Sequence, residues 1–249
     1  MKMSILCVCL GILIGSIGCS HKQSCRSAAE VCKKEHSAVM PEYRHNWWTI
    51  RHNLVNERVS KANADLIFIG DSITQAWEVN GKDVWAKYYD HRSAVNLGFA
   101  GDRTQHVLWR LQNGNIDGIS PKAAVIMIGT NNSNGNDNTA EEIADGIIAI
   151  CKLVRKELPK VEILLLGIFP RGQGPSEQRE KIARANDIAS KIADGKMIHY
   201  LDIGQSFLGP DKTISGDIMP DYLHLTEKGY EIWAQAMEPK LAELMGERK

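Results

Sequence analysis

The chain has 249 residues, of which 43% are hydrophobic, and this is enough for one well-buried α/β domain with an additional terminal segment. Basic and acidic residues number 30 each, and no basic cluster is interleaved with aromatic residues. This charge balance argues against a nucleic acid as partner.

The first 18 residues have the layout of an export signal. Lys2 precedes a mostly apolar run, residues 3–17, which is short for a membrane span. The sequence SIGC at residues 16–19 resembles a bacterial lipoprotein cleavage site, in which Cys19 becomes the lipidated first residue, although Ser16 departs from the usual leucine. An ordinary cleaved signal and an uncleaved anchor remain alternatives.

These observations divide the chain into three parts. We expect residues 1–18 to be a signal peptide, residues 19–42 a polar tether and residues 43–249 the domain. The protein is then expected to be exported and anchored to a membrane through its N-terminal lipid, in the periplasm or at the cell surface.

The six cysteines do not form a metal-binding pattern, because no CxxC pair or Cys/His cluster occurs. Cys7 and Cys9 belong to the predicted signal, and Cys25 and Cys32 can pair in an oxidising compartment. Cys151 falls on an apolar helical face and is expected to be an inert core thiol. A nucleotide-binding glycine pattern is also missing, so we expect no metal and no cofactor.

A helix is predicted from Tyr43, because apolar residues recur at helical spacing. At least one residue of the pair Trp47 and Trp48 is expected to pack in the core or across the edge of the domain, although such a pair also suits a sugar platform. The predicted core face carries Trp47, Ile50 and Leu54, and the predicted water face carries Arg44, Arg51 and Arg58.

Five short runs rich in β-forming residues alternate with helical patterns through the rest of the chain. This alternation predicts a parallel sheet covered on both faces, a flavodoxin-like three-layer α/β/α fold with strand order 2-1-3-4-5. A turn at Asn80-Gly81 interrupts the helical segment after the first strand, and Pro239 is expected to bend or interrupt the closing helix. The predicted strands are residues 66–69, 94–97, 123–128, 162–168 and 197–201.

Ser72 follows the first strand directly, at a junction from strand to helix. Backbone N–H groups at such a junction lack partners within the helix and can hold an oxyanion. In open α/β sheets, ligands bind beyond the carboxyl ends of the strands. The alternative is that Ser72 serves only as a helix N-cap.

Three later stretches supply further groups for chemistry at the same edge of the sheet. Gly101 lies in a glycine-bearing loop after the second strand, and Asn131 follows the third strand. Asp221 and His224 are three residues apart, so the carboxylate can hold one imidazole nitrogen, although a surface aspartate with a structural histidine gives the same pattern. Together with Ser72 these residues are the parts that acyl transfer needs.

The same residues resemble a known family, the GDSL or SGNH hydrolases. Four ordered blocks carry the resemblance, which extends from about residue 64 to the C-terminus: GDSI at 70–73, NLGFAGD at 96–102, GTNN at 129–132 and DYLH at 221–224. Within the family the chain is most similar to the catalytic subunits of the platelet-activating factor acetylhydrolase type, through AGDRTQHVLWRLQNG, PRG and DYLHLTEKGY. Ile73 in place of leucine and Asn132 in place of the frequent aspartate depart from the family pattern.

The resemblance implies an SGNH hydrolase fold and a two-step hydrolysis of an ester. Ser72 is the implied nucleophile, His224 the base and Asp221 the residue that orients His224. The implied oxyanion hole consists of the backbone N–H groups of Ser72 and Gly101 and the side-chain amide of Asn131. Asp71 is expected to brace the turn, and Arg171 to line the substrate mouth without a catalytic role; none is assigned to His106.

The expected substrate is a short-chain, acetyl ester of a carbohydrate or of a phospholipid, and the predicted export favours the carbohydrate. A thioesterase or lysophospholipase is a nearer alternative. A noncatalytic carbohydrate- or lipid-binding protein with the same fold is a further alternative from a different functional class.

Overall fold

The five apolar runs form one parallel sheet in the computed structural model, which describes residues 35–247. The strands are β1 (Leu66–Gly70), β2 (Ala94–Gly98), β3 (Ala123–Met127), β4 (Glu162–Leu166) and β5 (Ile198–Leu201). Their spatial order is β2-β1-β3-β4-β5, with β1 paired to both β2 and β3. This confirms the predicted fold and places β1 next to the point where the strand order reverses.

Helices cover both faces of the sheet, because successive side chains of each buried strand point to opposite faces. The helices are α1 (Trp47–Lys61), α2 (Ser72–Gln75), α3 (Lys82–Tyr88), α4 (Thr104–Leu111), α5 (Ala140–Glu157), α6 (Glu177–Ser190) and α7 (Glu227–Leu244). Ile67 and Ile69 of β1 pack in one apolar cluster with α1, α4, α5 and α6, whereas Leu66 and Phe68 pack in a second cluster with α3 and α7.

Helix α1 packs through a different face from the one that the sequence predicts. The exposed residues are Trp47 at 46%, Ile50 at 64% and Leu54 at 57%. Trp48, Val55 and Val59 are buried instead, and the indole N–H of Trp48 donates to Asp102 at 2.7 Å. The predicted core face is therefore wrong, whereas the expectation that one of the two tryptophans packs in the core is met by Trp48. Two stripes of apolar residues share the helical period here, and only the surface beneath the helix decides between them.

Residues 35–42, which the sequence assigns to the tether, pack against the domain. A short 3₁₀ helix, Ser37–Val39, buries Ala38, whose carbonyl accepts a hydrogen bond from the Thr104 hydroxyl at 2.7 Å. The predicted signal, Cys19 and the Cys25–Cys32 pair lie outside the described residues. Within residues 35–247, no helix combines the length and the apolar character that crossing a bilayer requires.

Two further expectations concern residues of α5 and α7. Cys151 is fully buried in α5, and burial raises the pKa of its thiol to about 12, so the reactive thiolate is absent near neutral pH. Helix α7 continues across Pro239 without interruption. The burial of Trp233, Met237 and Leu241 around this point offsets the cost of about 3 kcal/mol of an interior proline.

Candidate active site

The turn between β1 and α2 presents Ser72 at the carboxyl edge of the sheet. Asp71, and not Ser72, is the N-cap of α2, since its Oδ1 accepts the backbone N–H of Ile73 at 3.0 Å. Ser72 is the first helical residue, where a backbone N–H has no acceptor within the helix. Its hydroxyl is therefore not occupied in capping and is available for another partner.

Two glycines allow this turn to approach the neighbouring strands. A Cβ on Gly70 would lie 2.0 Å from the Thr74 hydroxyl oxygen, and a Cβ on Gly98 would lie 2.2 Å from the backbone nitrogen of Gln75. Both distances are too short for a side chain, so α2 can sit directly on the ends of β1 and β2 only with glycine at these positions.

Two polar side chains fix α2 to β2 and to the glycine-bearing loop that follows it. Asn96 donates through Nδ2 to the carbonyl of Thr74 at 2.9 Å, and Gln75 accepts the N–H of Ala100 through Oε1 at 2.7 Å. Neither residue is among the site residues predicted from the sequence. The sequence hint to both residues is a polar side chain next to apolar neighbours, as for Asn96 between Val95 and Leu97.

Asp221 organises the loop that carries His224. Its Oδ1 accepts the backbone N–H groups of Leu223 at 3.0 Å and His224 at 2.7 Å, and its Oδ2 lies 2.6 Å from His224 Nδ1. Tyr222 has a φ of 58°, and its carbonyl accepts the N–H of Gly172 at 2.8 Å. One carboxylate thus builds the turn and holds the imidazole, while the loop after β4 supports the turn from outside.

Ser72 Oγ lies 2.9 Å from His224 Nε2, across a separation of 152 residues in the chain. Because Nδ1 faces a carboxylate at hydrogen-bond distance, the proton of neutral His224 belongs on Nδ1, which leaves the lone pair of Nε2 to accept the serine proton. Burial opposes ionisation of Asp221, but hydrogen bonds from His224 and from the backbone prevail and lower its pKa. The arrangement can remove a proton from Ser72 and stabilise the imidazolium that results.

The three predicted oxyanion donors follow adjacent strands of the sheet. Ser72 comes after β1, Gly101 after β2 and Asn131 after β3, so the strand order places all three at one edge. Gly101 has a φ of 72°, a conformation that glycine adopts without strain. Asn131 donates through Nδ2 to the carbonyl of Asp102 at 2.9 Å, which uses one of the two hydrogens of its amide nitrogen.

Asp71 lies fully buried beside Ser72. Burial raises the pKa of its carboxyl to about 7, although the hydrogen bond from Ile73 opposes this shift. Its Oδ2 has no hydrogen-bond partner among the described residues. A protonated Asp71 is therefore the favoured form below neutral pH, and its visible contact is the bracing of the turn.

Arg171 and His106 occupy different environments near this edge. Arg171 is half-buried and donates through one terminal nitrogen to the carbonyl of Thr130 at 3.2 Å and to Asn134 Oδ1 at 3.1 Å. His106 accepts the N–H of Arg103 at 3.0 Å, and burial lowers its pKa to about 3, which keeps it neutral. Arg171, in the loop after β4, thus contacts the loop that follows β3, and its place at the mouth of the site stays a prediction.

A buried ion pair beneath the site is absent from the sequence predictions. Asp102 and Arg110 are both fully buried, and Arg110 Nε donates to Asp102 Oδ2 at 2.9 Å. Burial raises the pKa of Asp102 and lowers that of Arg110, while the ion pair opposes both shifts. The available signal was an arginine within the otherwise apolar stretch VLWRL at residues 107–111.

No group of three or more histidine, cysteine or acidic side chains suited to holding a metal ion occurs in the part of the chain that the structure describes.

Comparison with known proteins places this chain among the ester hydrolases. Residues 68–232 match the model of the GDSL-like lipase/acylhydrolase family. The chain is 38% identical over 200 residues to platelet-activating factor acetylhydrolase IB subunit alpha1 of Bos taurus. The aligned region covers 80% of this chain and 84% of that protein. The chain is 37% identical over 202 residues to the alpha2 subunit of Mus musculus, covering 80% of this chain and 86% of the relative.

Solved structures share the fold at lower identity. A GDSL-like lipase from Bacteroides thetaiotaomicron superposes with a TM-score of 0.63 at 19% identity, covering 77% of this chain and 96% of the other. An acetylxylan esterase from Geobacillus stearothermophilus superposes with a TM-score of 0.58 at 19% identity, covering 75% and 96%.

The family match and the acetylhydrolase relatives identify this chain as a carboxylic ester hydrolase. The chain belongs to the GDSL-like lipase/acylhydrolase family. Enzyme class and family, both expected from the four sequence blocks, are confirmed.

Proposed function

We propose that this enzyme hydrolyses acetyl esters through an acyl-enzyme intermediate on Ser72. The observation that carries the proposal is the continuous hydrogen-bonded chain from Ser72 Oγ to His224 Nε2 at 2.9 Å and from His224 Nδ1 to Asp221 Oδ2 at 2.6 Å. A nucleophile, a base and an orienting carboxylate in this geometry are the arrangement that acyl transfer uses.

In the first step Ser72 Oγ attacks the carbonyl carbon, and its proton moves to His224 Nε2. The tetrahedral intermediate collapses when the bond to the alcohol oxygen breaks, and the departing alcohol takes the proton from Nε2. In the second step water attacks the acetyl-serine, gives a proton to Nε2 and releases acetate, while Ser72 Oγ takes the proton back. Asp221 keeps the imidazole in the required tautomer through both steps.

The negative charge on the carbonyl oxygen would be bound by the backbone N–H groups of Ser72 and Gly101 and by the second amide hydrogen of Asn131. Such donors act mainly on the transition state, and removing one costs about 10²–10³ in rate. Arg171 lines the mouth of the same edge and would contact the alcohol portion of the substrate.

The acetyl group is supported by the relatives at 37–38% identity, which are named as acetylhydrolases of platelet-activating factor. Those names concern the relatives; for this chain the alcohol is either a carbohydrate or a phospholipid. We favour the carbohydrate, because the N-terminus predicts export.

The first test is hydrolysis of p-nitrophenyl acetate, butyrate and octanoate by the protein and by Ser72→Ala. Acetate is expected to be cleaved fastest, and Ser72→Ala is expected to lose several powers of ten in kcat while its thermal midpoint is kept. Asp221→Asn should lose about 10²–10⁴ in kcat, since the amide favours the wrong imidazole tautomer. Ser206→Ala, at an exposed serine after β5, is the matched control. Equal rates for Ser72→Ala and the wild type would refute the mechanism.

The alcohol portion is tested by acetate release from acetylated xylo-oligosaccharides and from a 2-acetyl phospholipid. A kcat/KM at least tenfold higher for the saccharides supports the carbohydrate assignment. The reverse preference overturns that assignment and leaves the acetyl-ester mechanism intact.

We also propose that the exported chain carries a lipid on Cys19. Incorporation of labelled fatty acid into the protein in a bacterial host, compared with Cys19→Ser, tests this directly. Labelling of both proteins, or of neither, would refute the assignment of Cys19.

A further inference from the structure

Arg110 is a fully buried arginine that contacts two segments of the active site. Its Nε donates to Asp102 Oδ2 at 2.9 Å, and one terminal nitrogen donates to the carbonyl of Gly70 at 2.9 Å. The other terminal nitrogen donates to Asn115 Oδ1 at 3.1 Å, and the guanidinium lies over the ring of Phe99, 4.5 Å from its centroid. All these partners hold the guanidinium in one orientation.

Asp102 extends these contacts to the loop that carries Gly101. Its Oδ1 accepts the indole N–H of Trp48 at 2.7 Å and one N–H of Arg44 at 3.0 Å. Its backbone carbonyl accepts the Asn131 amide at 2.9 Å. The carboxylate is therefore fixed on both oxygens, and the backbone of the same residue fixes the Asn131 side chain.

We propose that Arg110 is a positioning residue for the oxyanion hole, which sets the distance between the Ser72 turn and the Gly101 loop. This proposal rests on the proposed function. Gly70 is two residues before Ser72, and Asp102 is one residue after Gly101, so one planar guanidinium spans the segments that supply two donors. Asn131, the third donor, is held by the carbonyl of Asp102.

Fold stability alone does not call for an ion pair at this place. Well-packed apolar side chains of similar volume are commonly as stabilising as a buried ion pair, because removing two charges from water offsets their attraction. A guanidinium differs in fixing several partners at set angles. That property matters for a catalytic site, where a displacement of about 1 Å can cost about 10² in rate.

The test is Arg110→Lys, assayed on phenyl acetate and on its thiono analogue, in which sulfur replaces the carbonyl oxygen. Lysine keeps the charge beside Asp102 but cannot also hold the Gly70 carbonyl. We expect kcat for the oxygen ester to fall about 10- to 100-fold with KM changed less than about threefold. The thiono ester gains less from N–H donors, so the ratio of oxygen to sulfur rates should fall by a similar factor.

Arg92→Lys is the matched control, since Arg92 is another buried arginine paired with two carboxylates, Glu238 of α7 and Glu247 after this helix. It should lower the thermal midpoint with kcat and the rate ratio unchanged. A loss of folded protein reduces the rates on the oxygen ester and on the thiono ester by the same factor. The ratio of the two rates therefore reports the positioning of the oxyanion donors and not the stability of the fold.

Trp48→Phe is the second variant, for the case in which Arg110→Lys does not fold. It keeps the aromatic packing and removes one anchor of Asp102, and a fall in the rate ratio of about threefold or more is expected. A folded Arg110→Lys or Trp48→Phe with a wild-type ratio overturns the positioning role. If wild type hydrolyses no ester, or Ser72→Ala equals wild type, the proposed function fails instead.

Discussion

Substitution of Asp71 by asparagine should remove a specific pH dependence from the stability of the fold. The Asp71 carboxyl is fully buried beside Ser72, and burial raises its pKa from 3.8 to about 7. Asparagine keeps the oxygen that accepts the Ile73 N–H and carries no charge at any pH.

The direction of this pH dependence follows from the number of protons bound in the folded and unfolded states. Between the unfolded pKa near 4 and the folded pKa near 7, the folded protein holds the Asp71 proton while the unfolded chain has lost it. The free energy of unfolding therefore decreases as the pH rises through this window and becomes flat above it. The full shift corresponds to about 4 kcal/mol, of which about 3 kcal/mol falls between pH 5 and pH 8.

Urea unfolding followed by tryptophan fluorescence at pH 5, 6, 7 and 8 measures the effect. The difference in unfolding free energy between Asp71→Asn and wild type should shift by about 3 kcal/mol in favour of the variant from pH 5 to pH 8. Asp117→Asn, which removes an exposed carboxylate, tests whether loss of any negative charge has the same result. Parallel stability curves for Asp71→Asn and wild type would refute the argument from burial.

Two further predictions concern packing. Gly98→Ala would place a Cβ 2.2 Å from the backbone nitrogen of Gln75 and so displace α2. The free energy of unfolding should fall by about 1–3 kcal/mol in thermal melts, and kcat for acetate esters should fall at least about tenfold. A wild-type kcat would contradict this expectation. In α1, Val55→Ala should cost about 2 kcal/mol, because Val55 is fully buried. The adjacent Leu54→Ala should stay within about 0.5 kcal/mol, because Leu54 is 57% exposed, and a larger loss for Leu54 in urea unfolding would mean that the face is covered in solution.

The sequence predicted elements whose signal is local. β1 is recognisable because a continuous run of β-forming residues ends at a glycine, and the alternation of strands with helices limits the sheet to a few topologies. The contact between Asp221 and His224 is local in the same sense, since three residues of one turn separate the two side chains and the carboxylate itself builds that turn. These features depend on near neighbours in the chain, which the sequence displays directly.

Tertiary structure decided the features that depend on distant partners. The apolar face of α1 could not be chosen from the sequence, because two stripes share the helical period and only the fold decides which one is covered. It buries Trp48 and Val55 in the core and supplies Asp102 as acceptor for the indole N–H of Trp48. The role of Arg110 also depends on distant residues, because its two partners in the active site, Asp102 and the Gly70 carbonyl, come from different segments that only the fold brings together. The 2.9 Å contact between Ser72 and His224 joins residues 152 positions apart, and it exists because a parallel sheet brings the ends of its strands and the final loop to one edge.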